Sequence, residues 1–390
     1  MKTMLEIYLD NAATTRVSDG AAAVMAELLT RDYGNPSSLH HLGYEAEKRV
    51  ASARAALAGI LAVEPGTLTF TSCATESTNT ALRGAARSRV HVGRHVLTSR
   101  GEHSATRETL KYLASQGWEI EYLENDGYGR ILLDDLAAKL RPDTAFVTCL
   151  HVNNETGCIQ PIAEMGAFIR EKAPRALFHV DAVQSFGKLP VFPVKYGIDL
   201  LSVSAHKING PKGTGLLYVR KGLTLPPLIY GGGQEKGYRS GTENTAGICG
   251  FAQAASEIWS MREELQARMM ACKTRLFEGV TAALPDVRVN GPKPEEGAAH
   301  ILNLEFKDIR SEVLLHALED KGIYVSSGSA CASNKPAEKS PTLASLGRSA
   351  KEIDSALRFS FGRYTTESEI DEAIRALAEL VPALRRYTVK

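Results

Sequence analysis

Three side chains in this sequence could do covalent chemistry together: an amine, an acid and a thiol. The amine is Lys207, in Asp199-Leu-Leu-Ser-Val-Ser-Ala-His-Lys-Ile-Asn-Gly-Pro-Lys-Gly. The apolar run Leu200 to Val203 reads as a buried strand that breaks into a Gly/Pro-rich turn. An ammonium at the end of a buried strand is costly to desolvate, so it needs a partner or sheds its proton. A lysine with a depressed pKa is a nucleophile suited to a Schiff base with an aldehyde. A lone lysine after a strand is usually a surface residue, but this one has company. A second apolar strand, Ala176-Leu-Phe-His-Val-Asp-Ala-Val-Gln-Ser185, ends at Asp181 and Gln184, the acid 26 residues before the amine.

An acid at one strand end and a lysine after another fit a pyridoxal 5'-phosphate site. The acid keeps the pyridine nitrogen protonated, so the ring can draw in electrons, while the lysine carries the aldehyde. Ligands of open α/β sheets collect at the carboxyl ends of the strands, where Ser204 and His206 can hydrogen-bond a phosphate. In Thr67-Leu-Thr-Phe-Thr-Ser-Cys-Ala-Thr-Glu-Ser-Thr-Asn-Thr80 a strand leads into a helix from about Ala74. A helix start offers free N–H groups and a positive dipole end, so Ala74 and Thr75 are expected to hold that phosphate. The thiol is Cys331, in the small, polar stretch Val325-Ser-Ser-Gly-Ser-Ala-Cys-Ala-Ser-Asn-Lys-Pro. Such a stretch makes a poor core strand and a good exposed loop, and an exposed thiol is nucleophilic to the extent that it ionises.

Ser204-Ala-His-Lys-Ile-Asn-Gly-Pro-Lys-Gly, His179-Val-Asp-Ala-Val-Gln-Ser and Tyr8-Leu-Asp-Asn-Ala-Ala-Thr-Thr15 together resemble the group I cysteine desulfurases, NifS/IscS-like members of aminotransferase class V. The resemblance runs from Tyr8 to about Leu380. It implies a pyridoxal phosphate-dependent transferase of fold type I that converts L-cysteine to L-alanine and passes the sulfur to an enzyme cysteine as a persulfide. By the same resemblance His103 stacks on the cofactor ring and moves protons, and Gln184 hydrogen-bonds the ring hydroxyl. Asn154 lies near cofactor and substrate carboxylate, Arg358 clamps that carboxylate, and Cys331 carries the persulfide. Thr242, in Arg239-Ser-Gly-Thr, would touch the phosphate of a partner subunit, making a homodimer necessary for a complete site. A protein sulfur acceptor, either an iron–sulfur scaffold or a thiolation protein, is implied as well. Cys73 stands where the family usually has glycine. It is either a small buried hydrophobe or a second thiol able to accept sulfur.

These residues must be positioned by a sizeable scaffold. A length of 390 residues suggests two domains. The expected architecture is α/β: a large domain over 15–255 with a mostly parallel central sheet, and a smaller α+β domain over 256–390 joined by residues 1–14. Helices are expected over Ser18 to Leu29, Tyr44 to Ala62, Glu312 to Leu318 and Thr366 to Leu384. Asn35 to Gly43 reads as a loop, and Thr245 to Leu284 as one long helical stretch. The composition, 44% apolar and 23% charged with a net charge of +1, is that of a soluble globular protein with no nucleic-acid face. No apolar run approaches the roughly 20 residues of a membrane span. Six cysteines without a CxxC pair do not make a disulfide framework, which points to a reducing cytoplasm. Cys149 and Cys158 lack metal-ligand spacing and read as packing residues, so no metal is expected. Two other functions compete with desulfuration: a transaminase of the same fold, in which Cys331 is dispensable, and a cofactor-free sulfur carrier or scaffold.

Overall fold

A computed structural model describes residues 6–327 and 340–388 of the chain. The chain opens with strand β1 (Ile7–Tyr8) and helices α1 (Asp19–Thr30) and α2 (His41–Leu61). Strands and helices then alternate through β2 (Leu68–Thr71), α3 (Ala74–Arg89), β3 (His95–Ser99), α4 (Ser104–Ser115), β4 (Glu119–Leu123), α5 (Leu133–Lys139), β5 (Thr144–Leu150), α6 (Ile162–Lys172) and β6 (Leu177–Asp181). Strands β7 (Leu200–Ser204) and β8 (Gly215–Val219) follow, and then helices α7 (Thr245–Ser260) and α8 (Arg262–Ala283).

Strands β2 to β8 form one sheet in the order β2-β8-β7-β6-β5-β3-β4, in which β8 alone runs against its neighbours. The sheet is therefore mostly parallel, as the sequence predicts. Parallel strands carry buried faces on both sides. Here α3 and α4 cover one face through Leu82, Ala85 and Leu110 against Phe146, Leu177 and Leu217. The other face buries Phe178, Val180 and Leu201 under Met165 and Ile169 of α6 and Phe251 of α7.

The chain then builds β9 (Arg288–Val289), β10 (Ile301–Glu305), α9 (Ser311–Glu319), β11 (Ile323–Tyr324) and β12 (Ser326–Ser327). It closes with α10 (Pro341–Ser345), α11 (Ala350–Asp354), β13 (Ala356–Ser360) and α12 (Glu367–Thr388). Strands β12-β13-β10-β9 make a second, antiparallel sheet. The amino-terminal strand β1 pairs in parallel with β11, and Asp10 bridges to Ser360. The first residues thus start against the carboxyl-terminal half before crossing to the large sheet. Cys331 lies outside the described residues.

Two helix expectations need correction. The second helix begins at His41 rather than Tyr44, because the His40 imidazole caps it by accepting from the Gly43 N–H at 3.3 Å. The stretch from Thr245 breaks at Met261, whose backbone leaves the helical region (φ −105°, ψ 12°). The two resulting helices serve different surfaces: α7 packs on α1 and α2, and α8 on α12. Ser18 does cap α1, accepting from Ala21 N at 3.2 Å.

Glycine is required where β8 starts. A Cβ on Gly215 would stand 2.6 Å from the Cys73 carbonyl carbon and 2.8 Å from its Cα, which are backbone atoms that cannot swing away. Gly215→Ala should therefore destabilise the fold by about 1–3 kcal/mol or more. It should also push the start of α3 outward. Thermal unfolding checks the first effect; a wild-type melting temperature would contradict it.

Candidate active site

Because β3, β5, β6 and β7 are parallel neighbours, the residues that follow them all emerge at one edge of the sheet. Those residues are His103, Asn154, Asp181 and Lys207, the positions that the sequence singles out.

Lys207 closes a single 3-10 turn, Ala205–Lys207, immediately after β7. The turn is stapled to the amino-terminal segment. Thr15 donates its N–H (2.9 Å) and its hydroxyl (2.8 Å) to the His206 carbonyl, and Asn209 returns through its N–H to the Thr15 hydroxyl at 2.8 Å. Asn209 needs a left-handed backbone here (φ 62°), which asparagine tolerates. The Lys207 amine, half-buried, donates to the carbonyls of Ala12 and Ala13, each at 2.6 Å. Gln184 Nε2 donates to the same Ala12 carbonyl at 2.9 Å, and Gln184 Oε1 is buried with no partner. Lys207 and Gln184, on different loops, thus converge on one oxygen.

Asp181 ends β6 and is 3% exposed. Burial pushes its carboxyl up to about 6, against the pull of the Val183 N–H (2.9 Å) and the Lys207 charge. Beneath it runs a chain of buried hydrogen bonds. His179 Nδ1 pairs with the Thr148 hydroxyl at 2.8 Å and Nε2 with the Ser202 hydroxyl at 2.9 Å, so the ring links β5, β6 and β7. Burial holds that imidazole down to about 3, hence neutral. The sequence carries His179 in a quoted motif with no role; its position two residues before Asp181, hence on the same strand face, was the available signal.

His103 caps α4. Its Nδ1 accepts from Ala105 N at 3.1 Å, so the proton of the neutral ring belongs on Nε2. Burial first, then the Lys207 and Arg107 charges, lower it to about 4. Glu102, immediately before it, is 1% exposed, and burial pushes its carboxyl up to about 8. One oxygen accepts from the Ser99 hydroxyl (2.6 Å) and Leu150 N (3.1 Å), joining the ends of β3 and β5; the other has no partner. Glu102 therefore sets where His103 stands.

The start of α3 carries no side-chain cap, which leaves the N–H groups of its first turn without that partner. Ala74 is half-buried and Thr75 exposed there. Thr75 also lines a groove of about 340 Å³ with Asn79, Arg83, Ser104 and Tyr112, between the starts of α3 and α4. Cys73, the cap residue, has an extended backbone (φ −174°, ψ 169°). No left-handed conformation is demanded there, so a cysteine replaces glycine without strain. The close approach in this loop falls on Gly215 instead.

Arg358, on β13, reaches across from the second sheet. Its Nη1 donates to the Asn154 carbonyl at 2.9 Å, its Nη2 to Asp10 Oδ1 at 2.7 Å, and its Nε is buried without a partner. Asn154 thus meets Arg358 through its backbone. Arg363 is instead held in an ion pair with Glu257. Ser204 is 2% exposed at the end of β7. The His206 ring turns to the Thr14 hydroxyl at 3.2 Å and is lowered to about 4, chiefly by burial. Thr242 is exposed on a glycine-rich loop. That loop is tied down by Glu235 to Arg54 (2.6 and 2.9 Å) and by Arg239 to Glu76 (3.1 Å). Cys149 and Cys158 are buried, and burial pushes the Cys158 thiol up to about 12, in keeping with packing roles.

The aminotransferase class-V family pattern matches residues 7–373. A cysteine desulfurase of Trichormus azollae is 41% identical over 382 residues, covering 98% of this chain and 94% of the relative. Among solved structures, a NifS-like protein superposes with a TM-score of 0.92 at 36% identity, covering 97% of this chain and all of that one (100%). SspA in complex with cysteine superposes with a TM-score of 0.79 at 33% identity, covering 92% and 100% of the two chains.

An acid whose folded pKa lies above its unfolded value is stabilising below the unfolded pKa, and that advantage is lost as pH rises through the folded value. For Asp181 the window runs from 3.8 to about 6. Cofactor-free Asp181→Asn should therefore melt above cofactor-free wild type at pH 7.5, with the gap closing towards pH 4. A gap independent of pH would contradict the burial of this charge.

Proposed function

Because the chain belongs to the aminotransferase class-V family and is, within it, a pyridoxal phosphate-dependent cysteine desulfurase, we propose that its residues divide that reaction between the Lys207 amine and the Cys331 thiol. The observation that carries the assignment is the convergence of Lys207 and Gln184 on the Ala12 carbonyl beside buried Asp181. Three features fit pyridoxal 5'-phosphate. Asp181 is a buried carboxyl whose burial outweighs the pull of Val183 N–H and the Lys207 charge, so it would gain from a protonated ring nitrogen. Gln184 has an unsatisfied carboxamide oxygen, an acceptor suited to a ring hydroxyl. The uncapped start of α3 at Ala74 and Thr75 suits a phosphate, and Ser204 and His206 are proposed to bind it as well.

When bound, the cofactor draws off the electron pair left at the substrate Cα. The other tasks fall to this chain. The Lys207 amine would hold the cofactor aldehyde, and its Nζ, when free, would take the Cα proton. His103 keeps its proton on Nε2 and exchanges it near the reacting atoms. Its depressed pKa keeps the ring neutral across the physiological range, with Nε2–H as its donor. Arg358 and Asn154 orient the L-cysteine carboxylate. The Cys331 thiolate attacks the substrate sulfur: an S–S bond forms, the Cβ–S bond breaks, and protons return to the carbon skeleton. The sum is L-cysteine plus a thiol giving L-alanine plus a persulfide, with no outside oxidant.

The exposure of Thr242 agrees with a homodimer in which it would touch the phosphate of a second copy. The persulfide passes to a protein acceptor for iron–sulfur cluster assembly or thiolation. A cytoplasmic setting agrees with the five described cysteines, all unpaired; among the described residues no helix is long and apolar enough to cross a membrane. We place the domains at 15–255 and at 256–390 with 1–14, the boundary falling inside α7; the two separate sheets support this reading.

Cys331→Ser should keep the yellow colour of the bound cofactor yet release no sulfide from cysteine under thiol reductant, and should carry no persulfide by mass. Normal turnover would remove Cys331 from the mechanism. Lys207→Ala should lose the visible absorbance of the lysine-bound cofactor, and an unchanged spectrum would remove Lys207.

A further inference from the structure

Arg358 is already engaged before any substrate arrives. A guanidinium carries five N–H donors. The contacts with Asp10 and the Asn154 carbonyl use one each on Nη2 and Nη1, while the buried Nε–H has no partner. Asp10 is the carboxylate in contact with this cation among the described residues. The other titratable groups facing the pair among the described residues are Tyr8, Glu155 and His300, the last held neutral by burial. The Tyr8 phenol donates to the Thr14 carbonyl at 3.0 Å and is pushed up to about 12 by burial and then by the Asp10 charge, so it is neutral. Burial likewise raises the Glu155 carboxyl, which accepts from the Ser340 hydroxyl.

Asp10 sits close in sequence to Ala12 and Ala13, whose carbonyls hold the Lys207 amine. One four-residue segment, Asp10 to Ala13, therefore spaces the guanidinium from the amine. We propose that Asp10 is a positioning and selectivity residue for the substrate carboxylate. It holds one flank of the Arg358 guanidinium and cancels its charge, so that an anion binds well only by taking the unspent donors with two oxygens at once. A neutralised guanidinium offers little net attraction to a single-point anion, whereas a planar carboxylate gains two directed bonds. The inference rests on Arg358 being the carboxylate site proposed above.

The test uses holoenzyme. The dissociation constant of L-alanine is read from the change in visible absorbance, and chloride is titrated as its competitor. Asp10→Asn keeps the shape and an acceptor oxygen but removes the charge. Freed of its counter-ion, Arg358 should hold chloride about tenfold more tightly, while alanine gains less, so the preference for alanine over chloride drops. Asp10→Ser serves the same purpose should Asp10→Asn not give folded protein, and its melting curve separates folding from binding. Asp10→Glu retains the charge and should keep the wild-type preference while raising the KM for cysteine more than it lowers kcat. An unchanged alanine-to-chloride ratio in the charge-removing variants overturns the proposal, as does a Glu variant that loses the ratio as fully as they do. Should Arg358→Gln bind alanine as wild type does, the carboxylate assignment itself fails, a result distinct from either.

Discussion

The site hangs on the carbonyl oxygen of Ala12. It accepts from Lys207 and from Gln184, and so joins three loops that the sheet alone would leave independent. The bonds are short, and each removes the freedom of a long polar side chain, which is a cost unless the geometry is fixed by something else. Here the amino-terminal segment supplies that fixity. It is anchored on one side by β1 against β11 and by Asp10 against Ser360, and on the other by Thr15 against the turn that carries Lys207. A segment of a few residues thus ties the two sheets to one reacting centre.

Burial then decides protonation. Asp181, Glu102, His103 and His179 all lie where a charge loses most of its hydration, and all are displaced towards their neutral forms. The consequence differs with the partner. His179 has hydroxyls on both nitrogens and serves as a neutral strut between strands. Asp181 has one backbone donor and the pull of the Lys207 charge, which do not offset its burial, so it keeps an attraction for a positive group such as a protonated pyridine. His103 uses one nitrogen on its own helix and keeps the other for chemistry. Side chains that look alike in sequence take different tasks because their hydrogen bonds differ.

Several features were not legible in the chain read as text. Cys73 stood out as a departure from the family glycine, yet the backbone there is extended and the tight contact belongs to Gly215, more than a hundred residues away. The break at Met261 leaves no Pro or Gly in the sequence, since it arises from the two halves packing on different partners. Asp10 stood inside a quoted motif with no role until its carboxylate was found against Arg358, which is far from it in the chain. Asn154 was expected near the cofactor and the substrate carboxylate, and what the fold adds is that its carbonyl meets Arg358.

What the sequence determined by itself was local and chemical. Apolar runs ending in Asp181, Ser204 and Lys207 had to be buried strands, because nothing else hides those residues while leaving a reactive group at the end. Ser18 had to cap a helix, because its hydroxyl replaces a lost backbone partner. The tertiary structure decided what converges. Strand order brings His103, Asn154, Asp181 and Lys207 to one edge, and β1 carries Asp10 to Arg358. Such meetings depend on the path of the backbone through space, and hydrophobic period and turn chemistry, which act over a few residues, carry no record of it.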